Sequence, residues 1–187
     1  LNVGFTDYSF AALSRAYCFD YDTINNVCNG AVYFGANPNF TFTQPGVFVV
    51  AQFANNTCGS DTSYQVIDVR PNPIPQFVIP SVICAGDTVF FQNSSTVSSG
   101  TIWGYRWDFG DGDSSFLSSP YHVYDTVGTF MVCLNVVTNS ACDSTICVPI
   151  TVNGRPTTNF TFPTNVCQNL QPIQFTNLST NPTGNII

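Results

Sequence analysis

Residues 105 to 112 read Tyr-Arg-Trp-Asp-Phe-Gly-Asp-Gly. Trp107 and Phe109 alternate with Asp108, the period of a β-strand that turns two rings to one face and a carboxylate to the other. Gly110-Asp-Gly112 then breaks the strand in a tight turn, where glycine takes positive φ at no steric cost. On either side lie Thr88-Val-Phe-Phe-Gln, Thr129-Phe-Met-Val-Cys-Leu-Asn-Val-Val and Ile146-Cys-Val-Pro-Ile-Thr-Val, all rich in β-branched and aromatic residues. Ala85-Gly-Asp, Val97-Ser-Ser-Gly and Thr138-Asn-Ser-Ala separate them as turns. No stretch carries the i, i+3, i+4, i+7 apolar spacing of a helix. Short strands at this spacing predict an all-β chain built as a sandwich of two antiparallel sheets.

The same pattern recurs along the chain. Arg70-Pro-Asn-Pro-Ile-Pro-Gln-Phe is echoed from Arg155 as Arg-Pro-Thr-Thr-Asn-Phe, with 83 residues between Cys84 and Cys167 and 84 between Phe91 and Phe175. Earlier, Gly46-Val-Phe48 matches Gly128-Thr-Phe130 at a separation of 82 residues. A unit of about 83 residues predicts three divisions: 1–69 as a divergent copy, 70–153 as a full copy and 154–187 as the opening strands of a third. A sandwich cut at Ile187 leaves strand edges and core uncovered. The expectation is that the same polypeptide continues, the alternative being strands from another chain. The linkers at Arg70 and Arg155 are short and proline-bearing, so neighbouring copies are expected to be semi-rigid.

Trp107-Asp-Phe109-Gly110-Asp-Gly112, followed by Pro120-Tyr-His122-Val-Tyr124 and Gly128-Thr-Phe130-Met-Val, resembles the polycystic-kidney-disease (PKD) domain over about residues 70–152. The resemblance implies tandem immunoglobulin-like β-sandwiches, of the kind found in surface proteins and as spacers in secreted microbial enzymes. With Cys84 before the second strand and Cys142 near the last hairpin, it looks like the tandem versions in large surface proteins of gliding and biofilm-forming Bacteroidota. It implies that Tyr124 packs at a sheet corner with its hydroxyl bonded to backbone. Gly128 suits a place where a side chain would clash with the start of its strand. In the first copy, Tyr33-Phe34-Gly35-Ala36-Asn37 stands where the Trp-Asp-Phe-Gly-Asp-Gly motif is expected.

Only 8% of the residues are charged, against roughly 25% in ordinary globular chains. All four basic residues are arginines and the net charge is -7, which disfavours nucleic acid and anionic membrane surfaces. Hydrophobic residues make up 44%, too many for a disordered chain. No apolar run approaches the ~18 residues of a membrane span, so no direct membrane insertion is expected. The eight cysteines lack CxxC spacing and the chain has one histidine, so disulfides in an oxidising compartment are favoured over zinc. Cys133 and Cys147 are equidistant from Ser140, which puts them opposite one another in a hairpin. That leaves Cys84 to Cys142 within the same copy. Among Cys18, Cys28 and Cys58, the pairs Cys18–Cys28 and Cys28–Cys58 are both open, and Cys167 is expected to pair beyond Ile187.

Asp108, Asp111 and Asp113 form a local acidic cluster that suits calcium through hard oxygen ligands, or turn chemistry through capped amides. No other cofactor is expected. His122 lacks a nucleophile in a shaped turn, no Gly-x-Ser-x-Gly is present, and a small sandwich offers no deep cleft, so no catalysis is expected. Trp103, Tyr105 and Tyr121 are candidates for stacking on sugar rings, or for covering the sheet faces. Asn39, Asn55, Asn93, Asn159 and Asn177 sit in Asn-x-Ser/Thr sequons. Asp-Thr-Val or Asp-Thr-Ile at Asp22, Asp87 and Asp125 resembles an O-glycosylation signal of Bacteroidota. The expected protein is an extracellular, cell-surface adhesin or filament segment acting as a stalk. Its expected partners are neighbouring repeats, further copies of itself in a filament, or surface polysaccharide. The alternatives are a polysaccharide-binding or spacer module of a secreted hydrolase, and a filament subunit completed by strand addition.

Overall fold

The computed structural model describes residues 2–7, 12–164 and 172–181. These residues are strands and loops, with no helix among them. The chain divides into two compact units, Leu1–Pro71 and Asn72–Ile187.

The first unit holds β1 (Asn2–Gly4), β2 (Ser14–Phe19), β3 (Tyr21–Asp22), β4 (Val27–Cys28), β5 (Val32–Phe34), β6 (Asn39–Thr41), β7 (Gly46–Asn56) and β8 (Gly59–Val69). One sheet has the order β5-β2-β7-β8, and the short β1–β6 ribbon forms the opposing layer. Its small core joins Tyr17, Phe19, Phe42, Val50 and Val69. The β3–β4 hairpin is tied down by the Cys18–Cys28 disulfide, with Cα atoms 5.8 Å apart. Tyr21, Cys18 and Ala51 form a second cluster there, against Phe53.

The second unit follows the same plan with a fuller core. It comprises β9 (Phe77–Val78), β10 (Ile83–Cys84), β11 (Thr88–Phe90), β12 (Gln92–Asn93), β13 (Ile102–Asp108), β14 (Ser114–Ser115), β15 (Tyr121–Val123), β16 (Gly128–Thr138) and β17 (Asp143–Asn153). The main sheet runs β10-β17-β16-β13-β14, and the β11–β15 and β9–β12 pairs form the facing layer. This is an immunoglobulin-like β-sandwich. Along β16, Val132, Leu134 and Val136 are buried while Met131 points outward, the expected two-residue alternation. Trp107 and Phe109 enter the core with Ile83, Val89, Phe91, Tyr124, Ile150 and Val152. Gly110 has φ 81°, and a Cβ there would lie 2.6 Å from the Met131 carbonyl oxygen, so the turn admits no side chain. At Gly128 a Cβ would meet the Phe130 ring at 3.7 Å. That is an ordinary contact, so the clash expected at this glycine is not what selects it.

One expectation about the cysteines requires correction, and the pairing left open for Cys28 falls to Cys18. Cys133 and Cys147 are directly opposed and bonded, but Cys84 and Cys142 are free. Cys84 pairs with Asn153 at one end of β17, while Cys142 precedes Asp143 at the other. At ~3.3 Å per residue the strand separates them by about 35 Å, far beyond a disulfide's reach. Cys58 is also free, at the exposed tip of the β7–β8 hairpin. It lies seven residues along from Ala51, the partner of Cys18, or about 20 Å from the bridged pair. Cys167 and Ile187 lie outside the described residues.

A further correction concerns the first unit's central strand. In the second unit β13 pairs with β16 so that Trp107 faces Leu134. In the first, β2 pairs with β7 so that Tyr17 faces Gln52 and Phe19 faces Val50. Tyr17-Cys18-Phe19 therefore occupies the place of Trp107-Asp108-Phe109. Tyr33 and Phe34 instead sit on β5, the edge strand corresponding to β14.

After β17 come β18 (Phe160–Thr161) and β19 (Thr176–Asn177). Phe160 pairs with Asn177 as Phe77 pairs with Asn93, and Thr157 bridges Thr180 as Ile74 bridges Thr96. Side chains repeat too: Ser179 Oγ bonds the Asn159 backbone as Ser95 Oγ bonds that of Gln76. Trp107→Ala should destabilise the second unit by about 3–5 kcal/mol in denaturant unfolding. A loss below about 1 kcal/mol would show that the core does not depend on the indole.

Candidate functional site

The turn after β13 gathers the polar groups that the sequence singled out. Asp108 Oδ1 accepts the Gly110 amide at 2.9 Å, and Asp111 Oδ1 accepts the Asp113 amide at 3.1 Å. Both are carboxylates capping their own turn. His122 reaches the turn from β15, and its Nε2–H donates to Asp111 Oδ2 at 2.6 Å. The imidazole stacks flat on Phe109, with centroids 4.1 Å apart, and edge-on to Tyr124 at 4.6 Å. Tyr124 is buried and donates its hydroxyl to the Phe109 carbonyl at 3.1 Å. Burial, then the charges of Asp111 and Asp108, hold that hydroxyl well above the usual tyrosine range, so it remains a donor.

Asp111, Asp113 and His122 bring ligand atoms within 4.8 Å of one another. Asp108, expected as the third acidic ligand, is not in that group. The histidine makes the set less suited to calcium, which prefers oxygen. Its ring lies between Asp111 and two aromatic side chains, positioned as a brace between β15 and the turn.

The three aromatic residues considered for sugar stacking do not share a surface. Trp103 is 81% exposed on the main sheet, where the β13–β16 register shifts between Ile102 and Gly104. Tyr105 packs against the core. Tyr121 is exposed on β15 in the opposing layer. The sequence reading missed its partner: Phe90 is directly across the strand pair, with ring centroids 4.7 Å apart. Their facing positions on β11 and β15 were the available signal.

In the first unit a cleft of about 430 Å³ opens over β7 and β8, lined by Phe5, Tyr17, Gln52, Asp61, Ser63 and Gln65 among others. Gln52 Nε2 donates to Asp7 Oδ1 at 2.7 Å and to the Tyr17 hydroxyl at 3.0 Å. Tyr17 donates onward to the Ala36 carbonyl at 2.8 Å, and Arg15 is ion-paired with Asp7. Burial, followed by the Asp7 charge, raises the Tyr17 hydroxyl above its ordinary range. The sequence reading missed this cleft. Its signal was the polar Gln52 inside the otherwise apolar run 47–54 of β7.

With this geometry in place, comparison with known proteins identifies an immunoglobulin-like module, and more specifically a PKD domain over residues 70–152. A collagenase, ColA of Clostridium perfringens, is 37% identical over 76 residues, which is 39% of this chain and 7% of the collagenase. The chain thus matches only a small part of that relative's length. The PKD1 domain of Vibrio anguillarum Epp is 27% identical, over 43% of this chain and 93% of that domain, with a TM-score of 0.40. The PKD1 domain of the Vibrio cholerae metalloprotease PrtV is 31% identical, over 45% of this chain and 98% of that domain, with a TM-score of 0.39.

Burial alone would raise the Asp111 carboxyl, but the His122 hydrogen bond, the Asp113 amide and the imidazole's charge together hold it below the usual carboxylate range. A depressed carboxylate contributes stability that is present above its unfolded value and lost as pH falls through the folded one. The thermal unfolding temperature of the second unit should therefore fall below about pH 4, and Asp111→Asn should flatten that fall. An unchanged acid limb in Asp111→Asn would remove the pair from the acid response.

Proposed function

We propose that the chain is a non-catalytic, extracellular run of PKD-type repeats that serves as a semi-rigid stalk in a cell-surface adhesin or filament. The observation that carries this reading is the repeated geometry of residues 157–164 and 172–180. Phe160 and Phe175 are each 61% exposed and Phe162 47%, and their rings cluster with centroids 5.4–6.1 Å apart. At the corresponding places in the second unit, Phe77 and Phe91 contact Trp107 at 5.1 and 5.6 Å. A ring cluster already shaped like one half of a PKD core supports a third repeat over residues 154–187. Its natural complement is a strand carrying Trp-x-Phe. The tally of repeats would then be set by the length of the native protein. Disulfides such as Cys133–Cys147 add resistance suited to an exposed fibre.

The likeness of 76 residues of this chain to part of a collagenase favours a second reading, an accessory module of a secreted hydrolase. The intact mass of the polypeptide isolated from its source, followed by sequencing of what flanks it, separates the two. The stalk reading expects a mass far above 20.3 kDa with further Trp-Asp-Phe-Gly-Asp-Gly copies. A catalytic domain next to this segment would favour the accessory module. A native mass near 20.3 kDa with polymerising chains would favour completion by strand addition. Calcium at Asp111 and Asp113 remains a lesser proposal. It expects a rise in unfolding temperature with millimolar calcium that EDTA reverses, and no rise would exclude it.

A further inference from the structure

We propose that the inner face of the first unit is a binding cleft for a neutral saccharide, a role that a stalk does not require. The two units share one strand scheme, so their inward-facing rows can be compared place by place. The row Trp107–Leu134–Ile146 of the second unit corresponds to Tyr17–Gln52–Ser63 in the first. The next row, Tyr105–Val136–Ser144, corresponds to Arg15–Ala54–Asp61. Val132–Val148 corresponds to Val50–Gln65. At one end of the sandwich, three apolar inward positions have become glutamine, serine and glutamine, while the other end keeps its aromatic core of Phe19, Phe42 and Phe48.

A sandwich loses stability when it places polar groups on its inner face, since that surface no longer contributes burial. Departures of this kind concentrate at functional sites. The volume of about 430 Å³ falls in the range of ligand sites. Its chemistry selects the class of ligand. Ser63 and Gln65 on β8 offer donors and acceptors, Gln52 on β7 keeps its carbonyl oxygen as an acceptor while its N–H groups hold Asp7 and Tyr17, and Asp61 adds a carboxylate acceptor. Phe5, half-buried at the border of the cleft, adds ring surface suited to the C–H face of a pyranose, with the buried Tyr17 ring packed behind it. The nearby cation, Arg15, is held by Asp7, so the cleft carries no excess positive charge to draw a phosphate or carboxylate. Hydroxyls with an apolar face, and no charge, describe a neutral sugar.

The test titrates the isotope-labelled full chain with maltohexaose, laminarihexaose and chitotriose, and follows backbone amide shifts by NMR. The proposal expects saturable shifts at Gln52, Ser63 and Gln65 with at least one of these sugars. Ser63→Ile combined with Gln65→Val restores the second unit's residues and should weaken binding at least about tenfold without lowering the denaturation midpoint. Were that variant less stable than the parent, Asp61→Ala, at an exposed position, should still weaken binding several-fold. Absence of shifts with all three sugars overturns the proposal. So do shifts centred on Trp103 or on Phe90 and Tyr121, and binding that both variants leave unchanged. None of these results bears on the stalk reading, which the native mass decides.

Discussion

The indole of Trp107 has no exposed surface, and the second unit is arranged around its burial. Phe77 and Phe91 approach it from the facing layer and Phe109 lies parallel to it on its own strand. Its one polar atom, Nε1, donates to the Leu117 carbonyl at 3.0 Å, which removes the cost of hiding an N–H. That single bond ties the loop after β14 to the core. Three residues on, the chain must turn without a side chain at Gly110, because the Met131 backbone passes too close. Burial of the indole, termination at Gly110 and the Asp111–His122 brace are consecutive consequences of one ring entering one core.

This explains which parts of the molecule could be read from sequence. Alternation of Trp107, Asp108 and Phe109 states its own geometry, and the Gly-Asp-Gly turn that follows is local chemistry. The hairpin partner of Cys133 was equally legible, because strand register is arithmetic once the turn is placed. Cys84 was assigned to Cys142 by elimination, which carries no length, and β17 separates the two by its full extent. In the first unit the reading followed a local likeness, an aromatic pair before glycine at Tyr33-Phe34-Gly35. The real central strand is fixed by pairing instead: Tyr17 and Phe19 lie opposite Gln52 and Val50 on β7. Cys18 stands there where Asp108 stands in the second unit, and its disulfide to Cys28 replaces the turn signature that would have marked the strand.

A lysine-free, weakly charged chain must satisfy its backbone with uncharged side chains, and the same device recurs at turn after turn. Asn56 Oδ1 accepts the amides of Cys58 and Gly59, Asn93 Oδ1 that of Ser95, and Asn177 Oδ1 that of Ser179. Asp22, Asp108 and Asp111 do likewise with their own downstream amides. Among the described residues no buried side-chain nitrogen or oxygen lacks a partner. Such short-range caps cost little side-chain entropy and hardly depend on salt. Stability built this way suits an exposed setting in which ionic strength is not controlled by a cell.

The scheme that buries Trp107 also shows how the same strands yield different surfaces. Keeping the hairpin from Gly128 to Asn153 apolar on its inner side closes the second unit into a packed core. The equivalent hairpin from Gly46 to Val69 keeps the framework but carries Gln52, Ser63 and Gln65 on that side, and a cleft appears over them. After β17 the framework begins again, with Phe160, Phe162 and Phe175 turned to solvent. The main-sheet pairing is common to the two units, and the β18–β19 pair repeats the β9–β12 pair of the second. What the inner face carries is therefore the variable between the two units: a packed apolar core in one, a cleft edged by polar side chains in the other.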